Sequence, residues 1–124
     1  MVKRVVIAGS RNYFDYTGAK EYIDLCLSDL LKKYEIIIVS GGCSGADMLG
    51  EKYAKENGLK IERYEARWYL YGKSAGPKRN GVMAKNSDYI ICFWDGKSRG
   101  TKSMIDIAKK LNKPLRVKII KGGL

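Results

Sequence analysis

The sequence predicts an α/β fold, a three-layer sandwich of about five parallel strands with helices on both faces. Three observations predict it. Short continuous apolar runs, the mark of strands buried on both faces, recur along the chain. Segments with helical apolar spacing alternate with them. The connections are short, which favours right-handed crossovers between parallel strands.

Val5-Val6-Ile7-Ala8 is the first strand, followed by a polar loop over Gly9–Tyr16. A helix is expected from about Thr17 to Tyr34, because Ile23, Leu27, Leu30, Leu31 and Tyr34 form one apolar face. Ile36–Val39 is a second buried strand and runs into the glycine-rich loop Ser40–Asp47. The second helix begins there, with Ser44 and Asp47 at capping-box spacing. Its inner face is Ala46, Leu49, Tyr53 and Ala54, and Asn57-Gly58 ends it. Leu59–Tyr64 is a more polar strand, suited to a place near the sheet edge. A long loop is expected over Glu65–Gly76, and Pro77 suits the first turn of a third helix with Met83 and Ala84 inward. Tyr89–Trp94 is the fourth strand, and Asp95–Thr101 a second glycine-rich loop. A fourth helix buries Met104, Ile105, Ala108 and Leu111, Leu115–Ile120 is the last strand, and Lys121–Leu124 is a tail.

The 124 residues suit one domain, with no run near the roughly 18 apolar residues of a membrane span. The apolar run at the N-terminus is too short for a signal peptide, so a soluble cytoplasmic protein is expected. Histidine is absent, which excludes Ser-His-Asp and Cys-His catalysis and most transition-metal sites. Cys26, Cys43 and Cys92 form no CxxC and support neither a disulfide framework nor a zinc site. No metal or cofactor is expected. The net charge of +11 lies wholly in residues 60–124, which hold 16 Lys/Arg against 5 Asp/Glu. A one-sided positive field favours an anionic partner, a phosphate ligand or a nucleic acid, although Lys109, Lys110, Lys113, Lys118 and Lys121 equally suit a solvated face.

In a parallel sheet every strand-to-helix loop lies at the same end, where ligands bind at the switch in strand order. Four strings therefore become one patch: Gly9-Ser10-Arg11, Gly41-Gly42-Cys43-Ser44-Gly45 with Asp47, Arg67-Trp68, and Trp94-Asp95-Gly96 with Ser98-Arg99-Gly100-Thr101. Glycines bring backbone amides close to an anion, helix N-termini add unpaired N–H groups, and Arg11 and Arg99 add charge. Each motif has a plainer reading. Ser44 and Thr101 can be helix caps, Trp94 can be core, Asp95 can lead a tight turn, and Cys43 has no base near it in sequence.

Taken in order, Gly9-Ser10-Arg11, Gly41-Gly42-x-x-Gly45-Ala46-Asp47, Tyr71-Gly72-Lys73-x-Ala75-Gly76-Pro77-x-Arg79-Asn80-x-x-Met83 and Phe93–Thr101 resemble the YspA/YpsA-related branch of the SLOG superfamily. The resemblance implies a Rossmann-like fold that binds nucleotides or their derivatives, with Arg79 and Asn80 added to the site, as a homodimer or larger oligomer. Some members sense NAD-derived signals such as cyclic ADP-ribose isomers in antiphage defence. The related lonely-guy enzymes hydrolyse the N-glycosidic bond of nucleoside monophosphates, and the DprA branch binds single-stranded DNA. Arg79 matches an arginine of the hydrolase motif, but Met104 stands where that motif, PGGxGTxxE, has its glutamate, and Asp95-Gly96-Lys97 replaces PGG. A thioether cannot transfer a proton, so only Asp95 or Asp47 could take that part. The expectation is a sensor or sequestering protein for a phosphate-bearing nucleotide derivative such as ADP-ribose, its cyclic isomers or a cyclic nucleotide. An N-glycosidase and a nucleic-acid binder are the alternatives.

Overall fold

The structure, a computed structural model, describes residues 1–121; the expected tail at Gly122–Leu124 lies outside the described residues. Five strands, β1 (Val2–Gly9), β2 (Glu35–Ser40), β3 (Lys60–Arg63), β4 (Tyr89–Trp94) and β5 (Leu115–Ile119), form one sheet in the order β3-β2-β1-β4-β5. Every pairing is parallel. β3, the most polar strand, lies at the edge, as its composition predicts.

Alternation along each buried strand divides the core in two. Val5, Ile7, Ile36, Ile38, Ile91 and Phe93 face α1 (Tyr16–Lys33) and α2 (Ala46–Glu56), meeting Ile23, Leu27, Leu49 and Tyr53. Val6, Ala8, Val39, Ile90 and Cys92 face the opposite way, onto Met83 and Ala84 of α4 (Ala75–Lys85) and Met104, Ile105 and Ala108 of α5 (Arg99–Lys110). The result is the expected three-layer sandwich.

The Glu65–Gly76 segment departs from expectation. It is not a continuous loop: Trp68–Tyr71 forms the short helix α3, and a 3-10 turn, Gly72–Ser74, leads directly into α4 at Ala75. Local hydrogen bonds from the amides of Leu70 and Tyr71 to the Arg67 carbonyl close this turn, with no apolar face to announce it, because α3 buries none of its residues.

α5 starts at a true cap. The Ser98 hydroxyl accepts from the Thr101 amide and hydroxyl, and the Asp95 carboxylate accepts from the amides of Lys97 and Ser98, both at 2.8 Å. Ser98→Ala is expected to cost about 1 kcal/mol of stability, read by urea denaturation.

Candidate functional site

The strand order turns between β1 and β4, and the loops leaving these two strands are held together by Ser10. Its amide donates to the Phe93 carbonyl at 3.0 Å, its carbonyl accepts from Ala46 at 3.1 Å, and its hydroxyl accepts from Asp95 at 3.2 Å. Ser10 is thus a buried joint between three loops. Two glycines permit the junction. A Cβ at Gly9 would lie 2.3 Å from the Phe93 carbonyl oxygen, and one at Gly45 2.4 Å from the carbonyls of Ser10 and Arg11. Gly45 also has φ of 79°, which L side chains rarely adopt.

The expected capping box is corrected at this point. α2 starts after Gly45, which has no side chain with which to cap. The Ser44 hydroxyl instead donates to the Arg11 carbonyl at 3.3 Å, because the left-handed turn at Gly45 directs it across to the neighbouring loop. Asp47 does reach back, but to the Cys43 amide at 3.1 Å. The Gly42 amide donates to the Ser40 hydroxyl at 3.0 Å. Much of the glycine loop's donor capacity is therefore already engaged within the protein. Behind it, the Ser40 hydroxyl donates to Glu51 at 2.7 Å, and Arg63 grips the same carboxylate with two nitrogens. Burial works to raise the Glu51 carboxyl, but the hydrogen bonds from Arg63 and Ser40 outweigh it and hold the group below its usual value.

The floor of the site is a small cleft of about 60 Å³ between Gly9, Gly41, Asp47, Arg79 and Gly100. It has room for a phosphate-sized group and not for a base. Arg79 is fixed there by three bonds: Nη1 to the carbonyls of Gly41 at 2.8 Å and Tyr64 at 3.4 Å, and Nε to the Asn80 side-chain oxygen at 2.9 Å. Asn80 in turn donates to the Gly100 carbonyl at 3.3 Å. Thr101 and Met104, both buried, line the same cleft. The amides of Arg99 and Gly100, first in α5, have no intrahelical acceptor and no partner among the described residues, and of the two residues Gly100 lines this cleft.

Asp47 is the chemically unusual group. It is 6% exposed, and one of its oxygens is engaged by Cys43. Burial pushes its carboxyl up to about 6; the Cys43 amide and the Arg79 and Arg11 charges oppose this, and Glu51 adds to it. Cys92, buried on the face of β4 that packs on α4 and α5, is raised to about 12 by burial and by Asp47, and is an inert thiol.

A wider cleft of about 450 Å³ continues outward, bounded by Arg11, Gly41–Ser44, Trp68 and Arg79. The remaining predicted residues lie elsewhere. Arg67 lines a further cleft with Tyr71 and Lys78. Asp95 forms the turn before α5, and its carboxyl is held below the usual range by the Ser98 and Lys97 amides. Gly96 is the exposed tip of that turn, Arg99 is exposed and lines none of the three clefts, and the Trp94 indole donates to the Ser98 carbonyl at 3.1 Å while packing on the core. Sequence reading missed Glu51 and Arg63. The available signal was an acid, four residues after Asp47, within the apolar stripe of α2.

A parallel sheet of order 3-2-1-4-5 with its clefts at the strand-order switch defines a Rossmann-like α/β fold. The chain belongs to the YspA, cpYpsA-related SLOG family, whose model matches residues 3–71. It is 32% identical over 122 residues to the Gene 61 protein of Mycobacterium phage D29, covering 92% of this chain and 94% of that protein. Two DNA processing A proteins share the fold. The Helicobacter pylori protein, described for its single-stranded DNA binding, has a TM-score of 0.63 at 24% identity, over 98% of this chain and 68% of that one. The Streptococcus pneumoniae protein has a TM-score of 0.70 at 19% identity, over 94% of this chain and half of that one. The structural-genomics target TM1055 gives 0.67 at 24% identity, over 99% and 77%. The family supports nucleotide binding in general, and the likeness to the three solved structures, each below 25% identity, shows the fold. Among the described residues no helix is long and apolar enough to cross a membrane.

Proposed function

We propose that the clefts at the strand switch bind a phosphate-bearing nucleotide or NAD-derived small molecule, such as ADP-ribose or a cyclic ADP-ribose isomer, and hold it intact. The observation that carries this reading is the small cleft itself. The immobilised Arg79 and Gly100, whose amide at the α5 N-terminus is open, line one phosphate-sized space. A helix-end amide and the one guanidinium nitrogen that Arg79 does not spend on protein oxygens, Nη2, are donors for an anion, and charge-assisted bonds of this kind contribute roughly 1.5–3 kcal/mol each. Asp47 beside them suits a ligand hydroxyl or amine as donor. The wider cleft, with Trp68 on its wall, takes the ribose and base.

A sensor or a sequestering protein has this form, and a relative encoded by a phage is in keeping with a role in phage–host conflict. Homo-oligomerisation belongs to the same reading. Isothermal calorimetry with ADP-ribose, cyclic ADP-ribose isomers and cyclic dinucleotides is expected to show binding of at least one at micromolar concentration. Absence of binding to all of them overturns the reading.

One observation favours a second reading, an N-glycosidase acting on nucleoside monophosphates. Asp95 is committed to its turn, so the acid/base part falls to Asp47, a buried carboxyl at about 6 in the same cleft as Arg79. Release of free base that is abolished by Asp47→Asn would establish it, and intact substrate after long incubation would remove it.

A further inference from the structure

Three clefts meet at one guanidinium. Arg79 lines the small floor cleft, the wider cleft of about 450 Å³ and an outer cleft of about 730 Å³. The two larger ones each fall within the roughly 300–1,000 Å³ of small-molecule sites. Each is walled by a different ring of the same short helix: Trp68 stands on the wider cleft and Tyr71 on the outer one.

Both rings are about half exposed, Trp68 at 51% and Tyr71 at 46%, and α3 buries no residue at all. Neither ring pairs with another aromatic among the described residues. An aromatic that contributes nothing to the core and faces a cleft is suited to stack a planar ligand. The charge around them is mainly positive, against one carboxylate, Glu65, that lines both larger clefts. Arg67, Lys78 and Lys85 line the outer cleft without an ion pair among the described residues, and Lys78 Nζ sits 5.0 Å from the Tyr71 ring centre. Nη1 and Nε of Arg79 are held by protein oxygens, while Nη2 carries no hydrogen-bond partner among the described residues and remains a donor.

We infer that the ligand class is a dinucleotide, two nucleosides joined through phosphate, with the linking phosphate at Arg79, one base against Trp68 and the other against Tyr71. This rests on the nucleotide-binding reading above and narrows it. A mononucleotide would occupy the wider cleft and leave Tyr71, Lys78 and Lys85 without a role. The linkage can be a pyrophosphate or a phosphodiester, since Arg79 recognises the phosphate in either.

Calorimetry separates the possibilities with probes that differ by one half. NAD+ is compared with ADP-ribose, which lacks only the second base, and the dinucleotide pApA with AMP. At least one dinucleotide is expected to bind about tenfold more tightly than its shorter counterpart. Tyr71→Ala, a surface substitution, is expected to abolish that advantage and leave ADP-ribose and AMP unchanged. Equal affinity of the long and short probes, or a dinucleotide advantage that survives the substitution, overturns the inference while leaving the nucleotide site standing. Failure of all four probes to bind overturns the inference, and failure of the cyclic ADP-ribose isomers and cyclic dinucleotides as well overturns the nucleotide site with it.

Discussion

Asp47→Asn is expected to stabilise the fold at neutral pH by about 3 kcal/mol. The carboxyl sits at about 6 in the folded protein against 3.8 for an ordinary aspartate, and about 1.4 kcal/mol attaches to each pH unit of that difference. Because the folded state holds the proton more tightly than the unfolded chain, this group favours folding fully below pH 3.8. That margin is lost as pH rises through about 6, where the buried carboxylate ionises. Asparagine can still accept from the Cys43 amide and never ionises. Urea denaturation of the two proteins should therefore give nearly equal stabilities at pH 3.5, a gap that widens up to about pH 6, and a constant gap from there to pH 7.5. A gap that is constant with pH would show that ionisation of Asp47 is not its source. A charge kept in a cleft at such a cost is the pattern expected where function sets the residue.

Arg79→Ala is expected to weaken ADP-ribose binding roughly 10- to 100-fold, from the loss of one or more charge-assisted hydrogen bonds. Arg79→Lys should recover little of it. The guanidinium meets Gly41, Tyr64 and Asn80 through a planar fork and still keeps Nη2 unspent among the described residues, whereas an ammonium is a single point with three donors. Calorimetry on the two variants, with thermal melts to confirm folding, checks this. A change of less than threefold in either would remove Arg79 from the site.

How legible these features were in the sequence differs between elements for physical reasons. β4 has the predicted bounds, Tyr89–Trp94, because six apolar residues between polar turns leave no other placement. β1 begins at Val2, three residues before its apolar run. Its first residues pair with Glu35–Ile37, and parallel pairing is a backbone property that polar side chains do not prevent. α3 was invisible because burial periodicity is the only signal a short helix sends, and this one buries nothing.

At the site, topology alone placed Arg11, Gly41 and Gly100 at one end of the sheet. The sequence could not show that the Gly42 and Cys43 amides are taken by Ser40 and Asp47, since that depends on rotamers fixed by tertiary packing. It also could not separate Arg79, drawn inward by three acceptors, from Arg99, whose position at the head of α5 leaves it in solvent.

The joint at Ser10 and the unburied helix α3 divide the clefts into two halves with different freedom to vary. The Ser10 half is tied to the sheet, so a substitution there disturbs folding and recognition together. The α3 half shares no buried residue with the body of the protein, so mutations there reshape the walls of both larger clefts at little cost to the fold. On the nucleotide-binding reading proposed above, selection on such a scaffold can retain the phosphate contacts while exchanging the base, and relatives that bind different molecules should then differ first between Arg67 and Ser74.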